Sequence, residues 1–591
     1  MFTSSIQKQP NQDPANPMTR ARCQQLQRQN SDRVSLRMWY TEMITGKQNL
    51  ALKTVVGNYS YKSCEKIDDL FQKMFPDSKI AKIFTCGEKK CAYVICFGLA
   101  PYFRDELLDK FCDLDYVLLF DESLNHKTQN KQLDIYVRFC DKDTRKVTTR
   151  YFDSAFIGHA TANYMIVHFT ELTKKLKLGN MIQLSMDGPN INWSFYDKLS
   201  AELKSVNTAP SLINIGSCGL HVIHGGFKSA CDSVDWDIAG LLRAMHTLFK
   251  DTPASREDYE EINGCKLYPL KHCATRWVED VPVANRAMEV LPLMKKYVET
   301  VQQHPNKYTV LKTQSFKRVK DASENPLTLV KLQFFVSLAE ESLPFLVKFQ
   351  TDNPVLPFLS KELEKLMRNL MMRCVKSGIL NKADIPSLLL KVDITKSEVL
   401  KSYKHVNVGF SATHKLKELI ATKTISERQE LKFQMECRDM LVKEIGKLLE
   451  KSPLKYSLTR NVMYLAPGHM VADPEDCRAR FSCVLSTLVH CKRIKEHTCD
   501  GLLKEYDTFF QEVVRPNKHK FKDFDMKSCR LDNFLGEYMD KNNAYTALWA
   551  VIRMLLVLLH GQASVERGFS INKVLMVDNM SEISISAQSC V

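Results

Sequence analysis

The chain has 591 residues, enough for about two to four domains at roughly 100–200 residues each. Hydrophobic residues make up 44% and charged residues 26%, which excludes wholesale disorder and leaves ample material for a core. Lysine and arginine (83) outnumber aspartate and glutamate (68), a net charge of +15 that fits a phosphate-bearing partner better than an acidic soluble enzyme would.

Residues 1–35 are rich in Gln, Asn, Ser and Pro and are expected to be a disordered basic tail, because they offer too little apolar surface to offset chain entropy. Arg20, Arg22, Arg28 and Arg33 make that tail a solvated arm, a nuclear address or a loose DNA contact. No apolar run follows the N-terminus, so no secretory signal is expected, and the 19 scattered cysteines read as reduced intracellular thiols. From residue 50 to 110 short apolar groups such as Ile67, Leu70, Phe71 and Met74 recur at helical spacing, which predicts a small helical module. Cys86, Cys91 and Cys96 fall within this apolar region.

Residues 111–240 change character. The run Tyr116–Phe120 is apolar enough for a central strand, and Leu133, Ile135, Val137 and Phe139 alternate along a second. Lys146 to Phe156 carries the β-formers Val147, Thr148, Thr149, Tyr151 and Phe152 and reads as the next strand, and Asp141–Arg145 supplies turn chemistry between these two strands. A helical stretch over 161–178, a strand over 181–186, a helix over 191–204 and a short strand over 212–215 follow. Strand signals then thin out, and residues 280–540 read as an all-helical domain. Ser426 and Gln429 form a capping box there, and the helix over 329–349 is expected to kink or split at Pro344. Ala547 to Leu559 is too short for a bilayer and is interrupted by Arg553, so it reads as a buried helix with no membrane role. Residues 541–580 read as C-terminal helices.

Three acids stand in separated but suggestive contexts. Asp121 ends the first apolar run, Asp187 ends the run Met181–Met186, and Glu566 lies in the block Ala563–Ser570. Each alone reads as an ordinary strand-end or helix-surface carboxylate. Together they suit two-metal phosphodiester chemistry, which needs hard divalent ions about 3.5–4 Å apart held by carboxylate oxygens. The intervals are 66 and 379 residues, and the second requires an inserted domain.

Further motifs accompany the acids. Asp187 and Asn190 match Asp-x-x-Asn, Cys218 and His221 match Cys-x-x-His, and Arg276–Trp277 stand where the helical region begins. Ser564–Ser570 matches a Ser-x-Glu-Arg-x-Phe-Ser block. In this order the motifs resemble the hAT-type DNA transposases over about residues 115–575.

The resemblance implies a fold class of α/β plus all-α: a ribonuclease-H-like mixed sheet interrupted by a large helical insertion. It implies a catalytic and metal-binding triad of Asp121, Asp187 and Glu566 with two Mg²⁺ or Mn²⁺ ions, DNA as partner, and action in the nucleus. It assigns Cys218, His221, Arg276 and Trp277 to the DNA near the cleaved bond. The basic run Lys518, Lys520 and Lys522 offers a track for the DNA backbone or a solvated helix end, and Lys492, Arg493 and Lys495 read likewise. A zinc site of Cys218, His221, His224 and Cys231 is the less favoured reading of those residues.

Two departures matter. No complete Cys₂His₂-type finger is visible near Cys86 and Cys91, and the polar stretch Ser581–Val591 reads as a tail that abbreviates the family's dimerisation region. They motivate a competing expectation, a domesticated or decayed derivative that binds DNA or chromatin without cutting. For a homo-oligomer through the C-terminal region, the helix Ala547–Leu559 is the candidate interface.

Overall fold

The computed structural model describes residues 43–125, 129–159, 161–205, 210–273, 276–308, 310–540, 542–565, 567–568 and 581–591. The expected basic tail, residues 1–35, lies outside them. The chain is mixed α/β, mostly helical, with one small mixed sheet. No helix among the described residues is long and apolar enough to cross a membrane.

The strands are β1 (Tyr116–Asn125), β2 (Asn130–Cys140), β3 (Val147–Ile157) and β4 (Met181–Ser185), in the order β3-β2-β1-β4. β1 pairs antiparallel with β2 and parallel with β4, and β2 pairs antiparallel with β3. Alternation assigns the two faces. Tyr116, Leu118 and Phe120 of β1 join Leu133, Ile135, Val137 and Phe139 of β2 in a core under the helices Ala162–Thr173 and Asn190–Ser205. Val117, Leu119 and Tyr136 point the other way, into the core that continues through the helical region. Burial on both faces is why the β1 run is apolar without a break. Between β2 and β3, Asp141 Oδ1 accepts from the Asp143 and Thr144 N–H groups at 2.8 and 3.2 Å, and Arg145 takes a positive φ of 57°.

The strand expected over 212–215 does not form a ladder. Ile213 N–H bonds Ile182 O at 2.7 Å, but the helical region takes the other side. Ser211 N–H bonds Cys491 O, and the Arg493 guanidinium donates to Gly179 O, Met181 O and Ser211 O at 2.7–3.0 Å. Arg493 is therefore a staple between the sheet edge and the helices, not part of an open basic run. Nor does Pro344 split its helix. Thr328–Phe349 is continuous, with twelve of its residues too deeply packed on neighbouring helices for one missing N–H to end it.

The C-terminal end also differs from the expected polar tail. Glu582–Cys590 is a helix capped by Ser581, lying on β3 and on the helix Ala100–Phe111. Its small residues make this possible: Ser586 Oγ donates to Asp153, and Cys590 Sγ donates to Ala100 O.

The capping box at Ser426 and Gln429 opens the helix Glu427–Lys451, whose buried face carries Phe433, Cys437, Met440, Leu441, Ile445 and Leu448. The same face includes Glu444, which is fully buried. Burial pushes its carboxyl up to about 8, against the opposing charge of Arg373 and a long hydrogen bond from Ser342 Oγ. A carboxyl that holds its proton more tightly when folded contributes stability that is full below about 4.5 and is lost as pH rises through about 8. Glu444→Gln is expected to flatten that decline and to raise Tm at pH 8 by about a degree or more, with little difference at pH 4. Thermal melts of both proteins across this range test it.

Candidate active site

The last rung of the parallel β1/β4 ladder is Leu119 paired with Ser185. Asp121 and Asp187 each stand two residues beyond it. Beyond that rung β1 and β4 part, while β1 runs on beside β2 to Asn125, so both carboxylates sit where the parallel pairing ends. Alternation directs Asp121 to the face of Val117 and Leu119. Its Oδ1 accepts from the Glu122 N–H at 2.8 Å.

Asp187 is partly buried, and Asn192 Nδ2 donates to its Oδ1. Burial raises the Asp187 carboxyl, and neighbouring Glu122 pushes it the same way; His221 and the Asn192 hydrogen bond oppose them. Asn190, the motif residue, is exposed at the start of its helix, so the partner of Asp187 is the buried Asn192.

A further carboxylate lies directly across from Asp121. Asp134 is its cross-strand partner on β2, is fully buried, and accepts from Gln132 Nε2 at 2.8 Å and from Ser154 Oγ. Like charges opposed on neighbouring strands repel, and these donors offset part of that cost. Tyr136 shares the face. Burial, then the charges of Asp134 and Asp121, raise its phenol far above the ordinary value and keep it neutral.

The C-terminal segment closes the site. The helix Thr546–Val557 lies on β1 and β2, and the chain then crosses the ends of β1 and β4. Leu559 N–H donates to Gln183 Oε1 at 2.8 Å, and Gln183 Nε2 donates to Leu559 O at 3.2 Å. Gln562 Nε2 donates to Phe120 O at 2.8 Å and to Ser185 O at 3.3 Å. Gly561 packs closely there, since a Cβ would fall 3.3 Å from the Leu220 side chain. A Cβ at Gly568 would collide with the Tyr136 hydroxyl. Ser564 and Arg567 both engage the Asp352 carboxylate. Glu566 itself lies outside the described residues, as do Thr275 and the side chain of Trp277.

Cys218, His221 and His224 belong to one element, the helix Gly219–Cys231 with Cys218 at its N-cap. Cys218 is 2% exposed, so its thiol packs in the core and reaches no DNA surface. Its contribution is the backbone N–H, which bonds Met186 O at 3.1 Å beside Asp187. His221 follows in the first turn, electrostatically coupled to Asp187. One turn on, burial lowers His224 to about 4, helped by His221 and Arg276 and opposed by Glu279. Arg276 lies 3.6 Å from Glu279, which also accepts from Gln350 at 2.8 Å. Asp187 and His221, and farther along the helix neutral His224 with Glu279 and Arg276, are thus electrostatic neighbours. Cys231 ends the same helix, about 20 Å from Cys218 at the helical rise, so the two cannot share a zinc ion.

Lys518, Lys520 and Lys522 are exposed on the short helix Lys518–Lys522, which packs against Pro467–Ala472. Among the described residues no hydrogen bond or ion pair ties these lysines to the acids. Nor do three His, Cys, Asp or Glu side chains among the described residues converge as a complete cation site. Asn192, Asp134 and Gln562 escaped the sequence reading. Asp134 carried a signal, a charge within an alternating strand; a lone Asn or Gln carries none.

No family model matches the sequence, and no curated protein matches it significantly.

The raised Asp187 carboxyl sets the sign of a test. Its charge costs stability as pH rises above the ordinary value of 3.8, so Asp187→Asn, which can still accept from Asn192, is expected to stabilise the chelator-treated protein at pH 7. A Tm gain of about a degree or more is expected there, vanishing near pH 4. An equal or lower Tm at pH 7 would contradict it.

Proposed function

We propose that this chain is a hAT-type DNA transposase or a descendant of one, cutting DNA phosphodiester bonds and joining the 3′-hydroxyl to target DNA. The observation that carries the reading is the placement of Asp121 and Asp187 two residues past the last β1/β4 rung, with Gln562 bonded between those strands four residues before Glu566. On this reading the sheet is ribonuclease-H-like, its order β3-β2-β1-β4 and parallel β1/β4 pair being compatible with that fold. The large helical region is then an insertion between β4 and the C-terminal segment.

The donor chemistry fits hard divalent ions. Asp121 and Asp187 offer carboxylate oxygens, and the buried Gln562 Oε1 is an amide oxygen with no hydrogen-bond partner. Bound Mg²⁺ or Mn²⁺ would activate the attacking water or hydroxyl and stabilise the leaving oxygen. Asp121, Asp187 and Glu566 would hold the ions. Asn192 fixes the Asp187 carboxylate, and neutral Tyr136 adds no competing charge. His221 and Arg276 would face the phosphate beside Asp187, and Trp277 and the lysines at 518, 520 and 522 would extend the DNA contact. DNA as partner, a nuclear location and oligomerisation through the C-terminal region belong to the same proposal.

Purified protein is expected to nick DNA only with Mg²⁺ or Mn²⁺, and Glu566→Ala to lose that activity by at least about 100-fold while binding DNA with unchanged salt dependence. Binding without nicking by either protein would favour the non-cutting derivative. Equal nicking by both would remove Glu566 from the site.

A further inference from the structure

Gln562 is fully buried, and its amide is used asymmetrically. Nε2 donates to Phe120 O and Ser185 O, while Oε1 meets no hydrogen-bond partner. The reverse orientation would set Oε1 against two carbonyls, so the two strands dictate which way the amide points. Phe120 immediately precedes Asp121, and Ser185 is the β4 residue of the last parallel rung.

We propose that Gln562 is a positioning residue for the acidic centre: its amide is a final side-chain rung that sets the spacing of Asp121 and Asp187. The inference rests on the metal-dependent reading above. Past Leu119 and Ser185 the two strands share no further main-chain pairing, yet their carboxylates must be held at one separation to share ions. A glutamine amide carries two N–H bonds on one nitrogen and can satisfy one carbonyl from each strand. Met and Glu present no N–H there, and Asn is one methylene short.

Gln183 provides an internal control. Its amide is spent on the Leu559 backbone, so it fastens the same C-terminal segment to β4 without spanning β1 and β4. A residue that merely anchors the segment would behave like Gln183. A positioning residue would not.

The experiment follows the thermal melting of the full chain against Mn²⁺ concentration, for wild type, Gln562→Met, Gln183→Met and Asp187→Asn. Gln562→Met is expected to need about ten-fold or more Mn²⁺ for half of the metal-induced Tm gain. Gln183→Met should lower the metal-free Tm but keep the wild-type Mn²⁺ midpoint. If Gln562→Met does not fold, Gln562→Asn replaces it in the same comparison. A wild-type midpoint in the Gln562 variant, or an equal shift in both glutamine variants, overturns the positioning role alone. A wild-type Tm that does not respond to Mn²⁺, like that of Asp187→Asn, overturns the metal reading itself, and the inference with it.

Discussion

The structure depends on one seam, where a C-terminal segment returns to a sheet laid down hundreds of residues earlier. Gln183 meets Leu559 across 376 residues, Arg138 meets Val557 across 419, and Gln562 meets Phe120 across 442. Closing such loops costs entropy that grows only slowly with length, so a long intervening stretch is tolerable once the seam is well satisfied. Its bonds are mostly from side chains to main-chain groups that no ladder or helix can pair. Arg138 is the clearest case. Fully buried, its guanidinium donates to Val557 O at the end of a helix, to Asp352 O and to Thr149 Oγ1. Burial lowers it to about 10, so it stays charged at the seam at neutral pH.

The seam and the acidic centre share residues. Asp352, whose carbonyl receives Arg138, uses its carboxylate to hold Ser564 and Arg567 on either side of Glu566 in the sequence. His560, also buried, is lowered to about 4 by desolvation and donates through Nε2 to Phe349 O, while its own carbonyl accepts from Gly219 N–H. That bond ties the C-terminal segment to the start of the helix bearing His221. Four stretches of chain, around residues 120, 187, 220 and 562, therefore meet through main-chain carbonyls. Displacing any one moves a carboxylate or its neighbour.

The helical region is not a separate satellite. Val117, Leu119 and Tyr136 of the sheet belong to the same continuous core as Phe335, Leu363 and Leu441. Within that core the Glu444 carboxyl, beside Arg373 and packed on the helix Gly219–Cys231, is raised by burial, which makes the stability of the helical region sensitive to pH.

Much of the local structure is legible in the sequence. The alternation Leu133–Phe139, the unbroken run Tyr116–Phe120 and the Ser426/Gln429 capping box each carry a pattern that short-range chemistry imposes, and each forms the expected element. Asp121 and Asp187 were visible as acids closing apolar runs. The failures share a cause. Residues 212–215 have strand composition but lose a ladder to Arg493 and the helical region; Pro344 stays helical because its neighbours are packed; Ser581–Val591 forms a helix because it has a sheet to lie on. Cys218 proved buried, and Asn192 rather than Asn190 reached Asp187, because only the folded chain decides which side chain faces which partner. The sequence by itself determined the four paired strands, the main helices and the acids that close apolar runs, since periodicity and turn chemistry act over a few residues. The tertiary structure alone decided that Gln562, Asp134 and Asn192 surround them, because pairing of buried polar groups depends on neighbours brought together from distant parts of the chain.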